Sequence, residues 1–417
     1  MTDKLEVWLD VDFLDAPCLV GKLSHEQGQV WFNYEERWLE NPACFSLDPD
    51  LTLDAAPFFP KPEMGNFGIF LDSSPDRWGQ MLMKRRELLE AKDARRPPGN
   101  LYAWDYLIRV QDETRQGALR FRREGEDTYL ALDPLPAPPI TSLRELQAVA
   151  LEVSNKRIDD LSALRKWLAV LVSPGSSLGG ARPKANFRDV DGSLWIAKFP
   201  ARDDMLDVGA WESVAHSLSR AVGIDVPEAK LLRFGNDYHT FCVKRFDRNG
   251  KRRVFYSSAM TLLKKEQSEG ASYLDIAQFL HTQGAEGTVK QGLEQLFRRV
   301  AFNVVIGNRD DHLRNHGFLL CPDGWKLAPA FDVNPNPDKR EHVLNIDESD
   351  NRPDLDLVLQ TAEWYELPSS NAARIVGEVV QVAQKWQEVA RKTGISGAEI
   401  ELMEHVFGSL ACWRPRW

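Results

Sequence analysis

The sequence has little that marks a secreted, membrane-bound or nucleic-acid-binding protein. Its 417 residues carry a formal net charge of −10, and a surface of that sign repels phosphate backbones, which argues against general nucleic-acid binding. The N-terminus lacks a basic segment followed by an apolar run, and no window has the apolar length of a membrane span. We therefore expect a protein of the reducing cytoplasm that does not associate with membranes.

Cysteine is also scarce. No C-x-x-C pair occurs among the five cysteines, so neither a disulfide framework nor a cysteine zinc site is predicted. The hydrophobic fraction of 43% and the charged fraction of 27% are instead typical of globular domains. The length predicts two or three units, and the acidic charge still allows a small basic pocket for a nucleotide. The scattered cysteines are Cys18, Cys44, Cys242, Cys321 and Cys412.

Proline marks the clearest boundary in the chain. The stretch DPLPAPPI, residues 133–140, reads as a linker, so we expect an N-terminal subdomain over residues 1–132. A second region follows over 141–247, beginning with a helix over 141–172, and a mainly helical region covers 248–417. In the first region, the alternation in LEVWLDVDFL predicts a strand, and the stretch S-P-D predicts a helix capped by the hydroxyl of Ser74.

A dense polar cluster, NRDDHLRNHGFLL at residues 308–320, stands out in the last region. Apolar residues at three- and four-residue intervals over 293–305 predict an amphipathic helix before it, which Gly307 ends. HGFLL and WKLAPAF then predict two strands joined by the turn residues CPDG, and Asp332 follows at once. The predicted order is helix, polar loop, hairpin, aspartate.

The cluster has three interpretations on its own. His312 and His316 are four residues apart, the spacing of two zinc ligands on one helix face. However, Leu313 stands where zincins carry a glutamate, and Asn315 and Gly317 disfavour a helix. The two aspartates could also do no more than cap and solvate an ordinary loop.

Phosphoryl transfer accounts for more of these residues. Protein kinases use a catalytic-loop aspartate, an asparagine five positions later and a second aspartate beyond a hairpin. Asp310 and Asn315 have this spacing, and Asp332 lies past the predicted hairpin. One carboxylate would orient the attacking hydroxyl and accept its proton, while the amide oxygen and the second carboxylate would hold Mg²⁺, a hard cation that prefers oxygen.

Upstream segments supply the other parts of a kinase in the expected order. SSLGGARPK, residues 176–184, has small residues that let backbone N–H groups approach phosphate. WIAK places Lys198 on a predicted strand, and Glu212 lies on the next predicted helix as a partner for that lysine. Each signal is weak by itself, but their order and number together favour a kinase.

With these motifs the sequence resembles the HipA family of toxin kinases from bacterial toxin–antitoxin systems. The resemblance rests on SSLGGARPK, WIAKFP, VKRFDR, IGNRDDHLRN and LAPAFD, with the N-terminal FGIFLDSSPDRWGQ, and it covers most of the chain. It implies an α+β, bilobal protein-kinase-like fold with a mixed α/β N-terminal lobe and a mainly helical C-terminal lobe. It also implies a Ser/Thr protein kinase that uses ATP and Mg²⁺.

The resemblance also implies roles for individual residues. Asp310 corresponds to the catalytic aspartate with His312 beside it, and Asn315 and Asp332 correspond to the metal ligands. Ser177 corresponds to a phosphate-loop serine that is autophosphorylated. Two positions depart from the family pattern, because Arg314 replaces a common lysine and Asp311 adds a second carboxylate. The implied ATP-binding residues are Ser177, Gly179, Gly180, Ala181, Lys184, Lys198, Glu212, Lys244 and Phe246.

Partners are implied in the same way. We expect a small helix-turn-helix antitoxin, contact with DNA only through that antitoxin, and a protein substrate such as a translation factor or an aminoacyl-tRNA synthetase. Two alternatives stay open at this point. One is a catalytically silent protein that binds an antitoxin and assists repression, and the other is a metal-dependent hydrolase that uses His312 and His316.

Overall fold

The structure, a computed structural model, describes residues 2–131, 137–154, 182–235 and 238–407. Its strands are β1 (Asp3–Leu9), β2 (Cys18–Glu26), β3 (Gln29–Tyr34), β4 (Leu119–Arg123), β5 (Lys184–Arg188), β6 (Leu194–Lys198), β7 (Ala229–Leu232), β8 (Thr240–Lys244), β9 (Arg248–Asn249), β10 (Arg252–Arg253), β11 (Tyr256–Ser258), β12 (Gly317–Cys321) and β13 (Gly324–Leu327). Its helices are α1 (Glu36–Leu39), α2 (Gly68–Asp72), α3 (Arg77–Asp93), α4 (Ala103–Ile108), α5 (Leu143–Ser154), α6 (Val208–Ala221), α7 (Ala259–Leu262), α8 (Tyr273–Gln283), α9 (Val289–Ile306), α10 (Leu355–Gln360), α11 (Ser369–Ala383), α12 (Trp386–Thr393) and α13 (Gly397–Phe407).

The chain forms two compact units, and the first comprises the residues up to Arg202 together with Lys244–Glu266. Its largest sheet is antiparallel, with the order β3-β2-β1-β4. The predicted first strand is confirmed as β1, where Leu5, Val7 and Leu9 are fully buried and alternate with more accessible residues. This period of two is what a strand with one face on a core requires. Strands β5 and β6 form a separate antiparallel hairpin in this unit.

Helix α3 begins two residues later than the sequence predicted. Asp76 is its N-cap and accepts a hydrogen bond from the Gly79 amide at 2.9 Å. Ser74, the predicted cap, instead donates its hydroxyl to the Phe70 carbonyl at 2.8 Å and so closes the end of α2. Serine and aspartate can both cap a helix. The Ser74 hydroxyl is used by α2, a helix that the sequence analysis did not predict, and Asp76 therefore caps α3.

A buried ion pair joins helix α3 to the hairpin of the same unit. Lys184 is only 6% exposed, and its ammonium lies 2.7 Å from the second carboxylate oxygen of Asp76. The indole of Trp78 donates to the Lys184 carbonyl at 3.1 Å. Residues 76–78 therefore hold the first residue of β5 by both its side chain and its backbone.

The second unit comprises Asp203–Val243 and the residues from Gln267 onward. It is mainly helical, as predicted, and α9 lies at its centre, packed against α8, α10 and α11. The predicted periodicity is confirmed, because the apolar residues of α9 from Leu293 to Ile306 are buried. β12 and β13 form the predicted antiparallel hairpin, although the second strand ends at Leu327. None of the helices described above combines the length and hydrophobicity that a membrane-spanning segment needs.

This division into units differs from the three regions expected from the sequence, 1–132, 141–247 and 248–417. Helix α6 belongs with the C-terminal helices, because Trp211 packs its ring against those of Trp386 and Phe407 at 6.1 and 6.3 Å. The residues after β8 belong with the N-terminal unit, where Arg245 bonds to Asn186 at 3.0 Å. The proline-rich stretch lies mostly outside the described residues, and the three-region division stays a prediction.

Candidate active site

The polar cluster forms a tight loop after helix α9. Gly307 ends the helix with a left-handed φ of +67°, and a Cβ there would meet the Val406 side chain at 2.4 Å, so only glycine fits. The loop then passes through a short 3₁₀ turn, Leu313–Asn315, whose first residue is fully buried. This anchoring leaves a short segment, residues 308–316, exposed on one side and packed on the other.

Asp310 is the accessible carboxylate of the loop, with 58% of its side chain exposed. It contacts the ammonium of Lys339 in the segment that follows the hairpin. That segment is fixed to the loop, because Asn336 donates its amide to the Gly307 carbonyl at 2.9 Å and accepts the Lys339 amide at 3.2 Å. A cation is thereby positioned beside the predicted catalytic group, a contact that the sequence analysis did not predict.

Asn315 has the features of a ligand for a hard cation. Its side-chain amide donates to the Asp310 carbonyl at 3.3 Å, which leaves its Oδ1 turned elsewhere. That oxygen is buried and has no hydrogen-bond partner among the described residues. An unpartnered buried amide oxygen is costly unless something binds it, and Mg²⁺ prefers this kind of donor. The residue therefore fits the predicted metal site.

Asp332 follows the hairpin in an unusual backbone conformation, with a left-handed φ of +59°. Its segment is anchored just before Asp332, because the Ala330 amide donates to the Asp225 carbonyl at 2.8 Å and the Ala328 amide donates to the Gly317 carbonyl at 2.9 Å. Phe331 and Val333 line one small cavity together with Asn315. The structure thus brings the neighbours of Asp332 to the side chain of the other predicted metal ligand.

Asp311 turns the opposite way from Asp310 and is 3% exposed. Its Oδ2 accepts three hydrogen bonds, from the Tyr273 hydroxyl at 2.8 Å, the Asn303 amide at 2.7 Å and the His316 Nε2 at 2.7 Å. Burial alone would raise the pKa of Asp311, but the charge and hydrogen bond of His316 and the bond from Tyr273 hold that pKa below its ordinary value. The carboxylate is therefore ionised inside the unit.

The two histidines of the loop do not form the zinc site considered above. The His316 ring uses one nitrogen on Asp311 and packs edge-on against Tyr273. His312 is half-buried beside the loop, and its Nδ1 has no hydrogen-bond partner among the described residues. Within residues 2–131, 137–154, 182–235 and 238–407, no group of three or more His, Cys, Asp or Glu side chains could hold a metal ion.

The predicted nucleotide-binding residues fall into three groups and one further residue, Glu212. Lys198 ends β6 directly opposite Lys184 in the β5–β6 register, but Lys184 is committed to Asp76. Lys244 and Phe246 are half-buried, alternating with the buried pair Arg245 and Asp247. The third group lies outside the described residues and comprises Ser177, Gly179, Gly180 and Ala181. Glu212 is buried on α6, in the second unit, whereas Lys198 belongs to the first.

Comparison with known sequences decides the family. The sequence model of the HipA-like C-terminal domain matches residues 176–386, which is half of the chain and contains both the glycine-rich segment and the candidate loop. The chain belongs to the HipA family.

Relatives of this HipA-family chain carry kinase names. It is 25% identical to a protein named as a kinase, Y4mE of Sinorhizobium fredii, over 94% of the chain and 86% of that protein. It is 24% identical to the serine/threonine-protein kinase toxin HipA of Shewanella oneidensis, over 55% of the chain and 59% of the toxin. These relatives support a HipA-type kinase.

A solved structure confirms the fold. The Shewanella oneidensis MR-1 complex of HipA, HipB and operator DNA contains a chain that matches with a TM-score of 0.67 at 18% identity, covering 97% of this chain and 95% of that one. The predicted α+β, two-lobed kinase-like fold is therefore correct. At this identity the match speaks for the fold alone.

His342 is a second buried ionisable group near the loop. It is 2% exposed, and its backbone bonds to Asn351 at both its amide, 3.0 Å, and its carbonyl, 2.9 Å. Burial lowers the pKa of His342 from its ordinary value to about 4. The unfolded chain therefore binds a proton at this residue over a pH range in which the folded unit does not.

We predict that the free energy of unfolding falls as the pH is lowered from about 6.5 to about 4 and that the His342 contribution levels off below that. Because the folded-state pKa is depressed, the unfolded state binds more protons in this window, and the loss from His342 is roughly 3 kcal/mol. Urea unfolding at pH 7, 5.5 and 4 measures it. His342→Gln should flatten the slope, whereas His405→Gln, at an exposed histidine, should not. An unchanged slope in His342→Gln would contradict the assignment.

Proposed function

We propose that the protein is an ATP- and Mg²⁺-dependent Ser/Thr protein kinase, able to autophosphorylate, and the toxin of a toxin–antitoxin pair. The observation that carries the proposal is the link between Asn315 and Asp310. The side-chain amide of Asn315 donates a hydrogen bond to the backbone carbonyl of Asp310, which links the predicted metal ligand to the predicted base. The Oδ1 of Asn315 is buried and has no hydrogen-bond partner among the described residues. The kinase names of the relatives support the same reaction class.

Asp310 performs the proton transfer in this proposal. Its exposed carboxylate can reach an acceptor hydroxyl, orient it toward the γ-phosphate and accept its proton. Lys339 contacts this carboxylate, so its ammonium must move aside when the hydroxyl arrives, and it can then turn toward phosphate charge. His312 lies in the same segment, two residues after Asp310.

Asn315 and Asp332 would hold Mg²⁺ through an amide oxygen and a carboxylate. The bound cation would offset the charge on the phosphate oxygens during transfer. The left-handed backbone at Asp332 costs of order 1 kcal/mol or more, and such conformations concentrate at functional sites. Aspartate tolerates this region better than most residues do.

The nucleotide is assigned to the first unit's residues. Lys198 would bind ATP phosphates, and the backbone near Lys244 and Phe246 would meet adenine. The backbone of Ser177, Gly179, Gly180 and Ala181 would wrap the phosphates. Lys184 was also predicted to contact ATP; its ammonium is buried on Asp76, and we propose that it holds the end of that loop.

We predict that Asp310→Asn lowers the rate of phosphate transfer by about 10²-fold or more, because it keeps the shape but removes the proton acceptor. Folding should be near normal, since the side chain is mostly exposed. Asp323→Asn, at an exposed acid in the turn of the β12–β13 hairpin, is the matched control. Turnover by Asp310→Asn at the parent's rate would make the assignment wrong.

The parent protein and the Asp310→Asn variant also test autophosphorylation. Mass spectrometry should find phosphate on Ser177 in the parent and none in Asp310→Asn. A phosphate adds roughly −1.5 to −2 charges, which ATP phosphates repel and a cation such as Arg182 attracts, so the modified protein should bind ATP more weakly. Full ATP affinity in completely Ser177-phosphorylated protein would refute this off-switch, and phosphate on Ser176 alone would place it on the neighbouring serine.

Two lysine substitutions should separate nucleotide binding from structure. Lys198→Ala should weaken ATP binding measured by calorimetry. Lys184→Ala should instead lower the melting temperature, because breaking a buried ion pair costs about 3–5 kcal/mol. Lys251→Ala, at an exposed lysine of the same unit, should change neither. Parent-like ATP binding by Lys198→Ala would show that this lysine is only a surface charge.

The partner assignment rests on analogy with the solved complex, which holds HipB and operator DNA. We propose a small helix-turn-helix antitoxin as partner and a translation factor or aminoacyl-tRNA synthetase as substrate. The net charge of −10 argues against direct DNA binding. Co-expression with the small helix-turn-helix protein of a neighbouring reading frame should give a stable complex that binds DNA. Strong binding of duplex DNA by the isolated chain at physiological salt would contradict the assignment.

A further inference from the structure

The buried side of the candidate loop holds polar side chains to which the proposed function gives no role. Three donors converge on one oxygen, the Oδ2 of Asp311, at 2.7 to 2.8 Å. Two of them come from helices, Tyr273 at the start of α8 and Asn303 in the last turns of α9. The third, His316, comes from the other end of the loop itself. All four side chains are buried.

The orientation of Asn303 is set by a further bond. Its Oδ1 accepts the side-chain amide of Asn308 at 3.0 Å, so its own amide group must face Asp311. The Asn308 backbone amide also donates to the Asn303 carbonyl at 2.9 Å. The helix end and the loop start are therefore joined by both backbone and side chain.

The bonds of Asp311 form one of two neighbouring links across the loop. Asn315 bonds to the Asp310 carbonyl, and His316 bonds to the Asp311 carboxylate. Asp311 follows Asp310 in the sequence, and His316 follows Asn315, so the two links are neighbours at both ends. A shift of Asp311 would consequently move both the predicted base and the predicted metal ligand.

We propose that Asp311 is a positioning residue, which holds the loop through Tyr273, Asn303 and His316 so that Asp310 and Asn315 keep their reactive placement. The proposal rests on the kinase function proposed above. Its energetic basis is that each buried donor left without its acceptor costs about 1–3 kcal/mol, so the loop has one strongly preferred arrangement. Its kinetic basis is that a misplacement of about 1 Å at a reacting group can cost about 10²-fold in rate.

The alternative to positioning is a purely structural role, in which the network stabilises the unit without affecting transfer. The two roles differ in their kinetic signature. A loop that is folded but misplaced lowers kcat because it displaces the proton acceptor Asp310, whereas KM for ATP changes less because the proposed direct ATP contacts lie on other segments. A structural role lowers the fraction of folded protein and leaves kcat per folded molecule unchanged.

The test uses Asp311→Asn, Tyr273→Phe and the double variant in the full chain. Tyr273→Phe removes one donor and keeps the ring that packs against His316. We expect kcat to fall about 10-fold for Tyr273→Phe and about 10²-fold for Asp311→Asn, with KM for ATP within about twofold. The double variant should lose no more than Asp311→Asn alone, since the two residues act through one bond.

Tyr34→Phe is the matched control, because it also removes a buried hydroxyl with two hydrogen bonds, to Leu51 and Leu47, but in the first unit. It should lower stability and leave kcat unchanged. A second readout does not depend on activity. Backbone hydrogen exchange over residues 308–317 should accelerate in Tyr273→Phe and Asp311→Asn, with the core of α9 unaffected.

The outcomes separate this proposal from the proposed function. Parent-like kcat per folded molecule in both loop variants, or unchanged exchange over 308–317, overturns the positioning role even if the protein is a kinase. An inactive parent protein overturns the kinase proposal, and the positioning role for transfer falls with it, whereas accelerated exchange would then show an anchored loop of another function. Reduced kcat with accelerated exchange confined to the loop supports both.

Discussion

The buried carboxylate of Asp311 is the interaction on which the candidate site depends. An ionised carboxylate inside a protein is stable only where hydrogen bonds and opposite charge replace water, and three donors on one oxygen supply them here. Because these donors come from two helices and from the loop, the charge organises all three segments around itself. The adjacent Asp310 is left on the accessible side.

The two consecutive aspartates therefore divide two tasks between identical side chains. Asp311 is buried in the interior, whereas the exposed carboxylate of Asp310 can contact a hydroxyl or a cation. Environment alone separates them, as it does for paired carboxylates in other enzyme sites. The Lys339 contact adds a positive charge at the accessible carboxylate, so the resting loop is neutralised on its outer side as well.

Local signals predicted the elements around the site, and long-range contacts escaped prediction. The apolar periodicity of residues 293–305, the stop at Gly307 and the turn residues of the β12–β13 hairpin act within a few residues, so the sequence sufficed for them. Tyr273 begins a helix 38 residues before Asp311, and Asn303 lies among the buried apolar residues of α9, so neither side chain was predicted to bond to Asp311. Lys184 was predicted to contact phosphate, and its ion pair with Asp76, 108 residues earlier in the chain, escaped prediction because no local pattern links the two residues. Residues 203–243 likewise belong to the second unit because of a long-range contact, the packing of Trp211 against Trp386 and Phe407.

Phosphate transfer from labelled ATP is the most direct test of the proposal that the chain is a Mg²⁺-dependent Ser/Thr protein kinase. The purified chain is incubated with lysate protein and with ATP labelled on either the γ- or the α-phosphate, with and without Mg²⁺. We expect covalent label on serine or threonine from γ-labelled ATP only, and only when Mg²⁺ is present. Absence of transfer under all conditions, or covalent label from α-labelled ATP, would contradict it.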